Sequence, residues 1–216
     1  MARSIFDLYN LADYIVRKER GAFISFTEFT DAMNYGQLEA YQLYFSAYGV
    51  NQTIHDALLP FKVRTQFTSA SDGTVTYNSN YLHLLGGVFT VTGSTVNKVR
   101  FISQDELPDA LTAQLRAVST SSPIAVDTAN GFYLYPQVQQ TGFYTYMRLP
   151  VYPVLAVTYG GSDGRTVTYD PINSVQLEFS DIYCNNILSR ALKLIGVNMD
   201  EEGIEQFAQS QSQQSN

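Results

Sequence analysis

Apolar positions in the first twenty residues recur at helical spacing, at Ile5, Leu8, Leu11, Ala12 and Ile15. Ser4 stands before them with Asp7 three residues on, a reciprocal capping pair, so the pattern predicts a helix running to about Val16. Arg17, Lys18 and Arg20 suit the negative end of the helix dipole, and Gly21 supplies the stop. A second helical stretch starts near Thr27, has Glu28 and Asp31 in its first turn, and carries Phe29, Ala32, Met33, Tyr41, Tyr44, Phe45 and Tyr48 before Gly49 closes it. Gly36 lies inside this stretch. A helical Gly costs about 1 kcal/mol relative to Ala, which predicts a kink or break there. A short helix from Thr53 to Leu59 is expected to stop at Pro60.

At Phe61 the period changes from helical to two. Phe61, Val63, Thr65 and Phe67 alternate with Lys62, Arg64 and Gln66, the pattern of a strand with one wet face. Ser71-Asp72-Gly73 reads as a turn, and strands are expected at Val75 to Tyr77, Tyr81 to Leu85, Val88 to Val91 and Val96 to Ile102. Ser103-Gln104-Asp105-Glu106 resembles a cap for a short helix through about Leu115. Two apolar runs, Pro123 to Val126 and Phe132 to Pro136, flank Asn130-Gly131 and predict a hairpin whose loop Asp127 to Ala129 could lengthen. Gly142 to Leu149 is a third strand, ending at Pro150. Val151 to Tyr159 leads through Gly160-Gly161-Ser162-Asp163-Gly164 to Val167-Thr168-Tyr169, again hairpin-like.

The chain closes with a helix set up by Phe179-Ser180-Asp181, with Ile182, Ile187, Leu188, Ala191, Leu192 and Ile195 as its apolar stripe and Gly196 as its stop. A short acidic helix from Asp200 to Ala208 is expected next, and the Gln- and Ser-rich end is too polar to bury. The fold class is α+β: helices from both chain ends beside a largely antiparallel sheet or partly closed barrel. Residues 1–205 are expected as one domain, helical over 1–60, β-rich over 61–175 and helical over 176–205, with 206–216 as a polar tail.

Composition sharpens this picture. Hydrophobic residues make up 45% of the chain and charged residues 15%, against roughly 25% charged in an average soluble domain. Part of the surface must therefore be covered by Ser, Thr, Asn, Gln and the 16 tyrosines, groups suited to protein contacts. The formal charge is −7, with no basic run beyond Arg17-Lys18-Glu19-Arg20, which argues against gripping a phosphate backbone. The lone Cys184 cannot form an internal disulfide, and no apolar leader or membrane-length run is present, so a cytoplasmic, soluble product is expected.

Candidate chemistry is sparse. His55 and His83, the two histidines, have no His, Cys or acid at a zinc-site spacing. No Gly-x-Ser-x-Gly elbow supports a nucleophilic serine, and the Gly160 to Gly164 cluster lacks the Lys-Ser or Lys-Thr of a phosphate loop. Cys184 has no nearby cation to lower its pKa. The acidic groups Asp105-Glu106 with Asp109 and Asp200-Glu201-Glu202 sit at predicted helix starts, where the backbone dipole favours them. No catalytic residue, metal or cofactor is expected, and an enzyme is the least favoured class.

Four segments in order resemble the connector or adaptor ring proteins of short-tailed phages, especially crAss-like ones. They are Ile24-Ser25-Phe26-Thr27-Glu28-Phe29 with its aromatic helix; Val99-Arg100-Phe101-Ile102 followed by Asp105-Glu106; Pro123-Ile124 through Phe132-Tyr133-Leu134-Tyr135-Pro136 with Tyr144-Thr145-Tyr146-Met147-Arg148-Leu149-Pro150; and Leu177-Glu178-Phe179 with the helix ending Leu194-Ile195-Gly196-Val197, an acidic helix and a Gln-rich tail. The resemblance implies a structural virion protein made in the host bacterial cytoplasm. It implies a homo-oligomeric ring, a dodecamer, in the head-to-tail connector below the portal protein and above other connector or tail proteins. DNA would pass through its lumen without base contacts, and no membrane is involved. The tail, with Phe207, Gln209, Gln211 and Gln213, is expected to dock on a neighbouring subunit or ring. The alternatives are a tail-associated receptor or carbohydrate-binding module and a cargo or scaffold-like virion protein.

Overall fold

A computed structural model describes residues 3–49, 52–114, 117–160, 166–197, 202–204 and 206. The chain is α+β and divides into two compact units, one of residues 1–60 with 150–216 and the other of residues 61–149. The β-rich stretch expected over 61–175 is thus shared between them, because its last segment belongs with the terminal helices.

The first unit contains α1 (Ile5–Arg20), α2 (Phe26–Ser46), α3 (Gln52–Leu58) and α5 (Asp181–Ile195), with a hairpin of β9 (Val157–Gly160) and β10 (Thr166–Tyr169). α1 begins at the predicted capping box: the Ser4 hydroxyl accepts from the Asp7 N–H, and the Asp7 carboxylate accepts from the Ser4 N–H at 3.0 Å. It ends at Gly21, whose φ of 66° is left-handed, a turn later than the apolar stripe predicts. α2 is capped in the same way by Ser25 and Glu28. Buried Ile5, Leu8 and Ile15 of α1, Phe29, Met33 and Ala40 of α2, and Ile187, Leu188 and Leu192 of α5 form the core. Each such side chain contributes about 1.5–3 kcal/mol on burial.

α2 runs unbroken through Gly36, contrary to the kink or break its sequence predicts. A Cβ at Gly36 would lie 2.6 Å from the Ile187 carbonyl oxygen and 3.2 Å from the Ala191 N. The missing side chain lets α5 pack against α2 at backbone distance, so tertiary contact offsets the propensity penalty.

The second unit is layered. Its first sheet has the order β1 (Lys62–Thr68), β8 (Thr141–Arg148), β3 (Tyr81–Thr92), β4 (Thr95–Lys98), all antiparallel. The second has the order β2 (Thr74–Thr76), β7 (Gly131–Tyr135), β6 (Ile124–Thr128), β5 (Arg100–Ile102), antiparallel except for the parallel pair of β5 and β6. Among the described residues these are open sheets, not a closed barrel. They bury Val75, Val88, Ala125, Phe132, Leu134, Tyr144 and Tyr146 between them, with Phe67 edge-on to Phe132 at 5.7 Å. The far side of the second sheet is covered by the short α4 (Leu107–Thr112) through Leu107, Ile124 and Val126.

The predicted hairpin forms, but its turn is Ala129-Asn130, since Thr128 already pairs with Gly131. Gly131 sits inside β7, where a Cβ would lie 1.9 Å from the Val75 carbonyl oxygen. Close approach of β2, rather than a left-handed turn, demands the glycine.

Candidate functional site

His55 belongs to the first unit and His83 to the second. His55 stacks on Tyr48 at 5.4 Å, and its Nδ1 is 3.7 Å from Asp56 Oδ1. Cys184 is buried on α5, where desolvation, aided by the Asp181 carboxylate, pushes its thiol up to about 11. Such a thiol is protonated at neutral pH, which disfavours nucleophilic attack. Among the described residues no group of three His, Cys, Asp or Glu is placed to hold a metal, and no helix is long and apolar enough to cross a membrane. The Asp105-Glu106 pair does lie at a helix start, but Glu106 in the N-cap position makes no side-chain cap bond; its carboxylate accepts from the Ser103 N–H at 3.3 Å instead.

Phe207, Gln209, Gln211 and Gln213 lie outside the described residues, as does most of the expected acidic helix from Asp200 to Ala208. Residues 202–204 and 206 within it are helical, and Ile204 is buried.

What each unit does offer is a surface. In the first unit, the loop between α1 and α2 and the end of α5 enclose an open groove of about 460 Å³, lined by Val16, Ala22, Phe23, Ile24, Ala32, Leu194 and Ile195 with Arg20, Glu28 and Asp31. Phe23 is 74% exposed and Leu194 59% exposed, so two large apolar side chains flank one hollow. The cations near it have internal partners: Arg17 bridges Asp13 and lies over the Phe23 ring at 4.1 Å, and Arg20 donates to the Ile195 carbonyl. Asp31 accepts a hydrogen bond from the Tyr152 hydroxyl, and the exposed Glu28 carboxylate, held low by its hydrogen bonds from Ser25, stays ionised at neutral pH.

In the second unit, the face of the first sheet turned away from the second sheet is partly or fully exposed, except in the row of Lys62 and His83, where Met147 is buried. Strand register assigns its rows: Lys62, Met147 and His83; Arg64, Thr145 and Leu85; Gln66, Phe143, Phe89 and Lys98; Thr68, Thr141, Val91 and Val96. The Phe89 and Phe143 rings stack at 5.2 Å, and the Arg64 guanidinium lies 3.8 Å from the Phe143 centroid. A shallow hollow of about 360 Å³ opens beside Phe143, between Gln66, Thr68, Val91 and Thr141. The four strands contain Lys62, Arg64, Lys98 and Arg148 and no carboxylate. The alternation of Lys62, Arg64 and Gln66 was visible in the sequence. That they share a face with Lys98 was not, because it depends on β8 and β3 intervening between β1 and β4.

No family model matches the chain, and a search of curated proteins finds no significant relative.

Proposed function

We propose that this chain is a non-enzymatic structural protein that works by fitting against copies of itself and neighbouring shells, as one subunit of a ring in a phage head-to-tail connector. The observation that carries the reading is the groove of the first unit, where Phe23 and Leu194 stand exposed on either side of an apolar hollow. Large apolar side chains gathered at one place, rather than scattered, mark a surface that another protein covers. The low charged fraction of 15% and the 16 tyrosines support the same reading, since interface cores lose charged residues and gain aromatic ones.

In this reading the ring has twelve copies, joins the portal protein to tail components, and lets DNA through its lumen without base contacts. Net charge of −7 keeps a passing polyanion from sticking. The tail residues Phe207, Gln209, Gln211 and Gln213 dock on an adjacent subunit or ring. A chain truncated before residue 206 then enters particles poorly, and undiminished incorporation removes the tail from the interface.

Native mass measurement of the purified chain over a range of concentrations tests the ring. A closed multiple of the 24.2 kDa subunit supports it. A single-copy mass at every concentration, together with capture on a glycan array, would instead favour the tail-associated carbohydrate-binding module.

A further inference from the structure

The charge of the chain is divided unevenly. Of its 13 Lys and Arg, seven lie in the first unit and six in the second; of its 20 Asp and Glu, fifteen lie in the first and five in the second. The first unit is strongly acidic and the second near neutral, and every charged side chain on the strands of the β1-β8-β3-β4 sheet within the second is cationic.

Lys62, Arg64 and Lys98 are exposed on the outer sheet face, and none makes an ion pair among the described residues. At their centre stand Phe89 and Phe143, half-buried and stacked. The groove of the first unit is flanked by exposed Phe23 and Leu194, and its wall carries the two carboxylates of Glu28 and Asp31 against one cation, Arg20, which donates to the Ile195 carbonyl. Both surfaces set large apolar or aromatic side chains beside charged ones, as protein interfaces do, and the balance of charge is opposite: cationic on the sheet face, two carboxylates against one guanidinium on the groove.

Two different complementary surfaces on one chain are what a ring requires. A heterologous contact repeated about an axis closes without using either surface twice.

We propose that the outer face of the β1-β8-β3-β4 sheet, centred on Phe143 and bordered by Lys62, Arg64 and Lys98, docks onto the Phe23–Leu194 groove of a second copy of this chain, bordered by Glu28 and Asp31. The inference rests on the ring reading above and names its interface. A nucleic acid is the weaker occupant for this face. It would meet three cations, against the larger basic patches that backbone binding needs, on a chain whose other unit repels it.

Charge reversal tests the pairing. Arg64→Glu and Asp31→Lys each bring like charges together and are expected to weaken assembly at least tenfold, read by sedimentation velocity. The double variant places a swapped pair at every contact around the ring and restores assembly. Phe23→Ala, at a side chain that is already exposed, weakens assembly while lowering the thermal melt by no more than the loss of its contact with Arg17 entails; far-UV circular dichroism spectra that match wild type exclude misfolding of the charge variants. Wild-type assembly weakens with added salt.

If both single variants assemble like wild type, the ring uses other faces and this inference is overturned while the ring reading stands. If the wild-type chain remains a single copy at all concentrations, both fall. If Arg64→Glu leaves assembly intact but abolishes binding of a twenty-nucleotide polythymidine, the sheet face is a polyanion platform and the inference is likewise overturned.

Discussion

The Arg64 guanidinium lies 3.8 Å from the centre of the Phe143 ring, and Phe143 stacks in turn on Phe89 of the neighbouring strand. A cation held over an aromatic ring at an exposed site contributes about 0.5–1 kcal/mol. Its larger consequence is orientation, because an arginine already fixed over a ring has less rotamer freedom to lose when a partner carboxylate arrives.

Replacing Phe143 with Leu removes both the ring stack and the support of Arg64. The expected loss is about 1 kcal/mol in chemical denaturation, from the cross-strand aromatic pair and the cation contact together. Arg64→Met, which keeps the stem and deletes the charge, should lose less. Equal losses for the two variants would mean that the phenyl stack contributes nothing.

Gly36→Ala separates propensity from packing. In an open helix the change stabilises by up to about 1 kcal/mol, but here the added methyl meets the Ile187 carbonyl oxygen at 2.6 Å. Overpacking costs about 1–3 kcal/mol. The net expectation is a lower denaturation midpoint, and a raised midpoint would contradict the close contact of α2 and α5.

Alkaline pH should loosen the protein in a defined window. Burial, followed by the hydrogen bond it donates to Asp127, raises the Tyr77 pKa above the ordinary 10.0, and burial also raises Tyr81 and Tyr144 beside it. Because the folded state favours the neutral phenols, their contribution is intact below pH 10 and lost as pH rises beyond it, where the unfolded chain ionises first. Urea midpoints at pH 9 and pH 11 should differ more for wild type than for Tyr77→Phe. An identical drop in both would remove Tyr77 from the effect.

Cys184, buried with its thiol raised to about 11, should resist a thiol reagent such as dithionitrobenzoate at pH 8 until the chain is unfolded. Prompt reaction in native buffer would show that α5 is not packed as described.

The sequence reports most faithfully where local chemistry decides. Ser4 with Asp7 and Gly21 set the ends of α1, and the alternation from Lys62 to Phe67 is that of β1, because caps and period-two patterns are satisfied within a few residues. Gly36 and Gly131 misled for one shared reason. Each glycine accommodates the backbone of a distant element, Ile187 in one case and Val75 in the other, and no local pattern encodes that. The candidate surfaces divide the same way. The cations of β1 are plain in the sequence, but their union with Lys98 and the stacked Phe89 and Phe143 exists because β1 and β4 are the two edges of one sheet.

The central claim, that this chain acts as a piece fitted among copies and neighbouring shells, is tested most directly by imaging particles that carry it with averaging about the tail axis. The expected result is a closed layer of repeated copies between head and tail in which Phe23, Leu194 and Phe143 are covered by protein. A particle in which the chain forms no closed layer, or a layer in which those three side chains remain open to water, would contradict it.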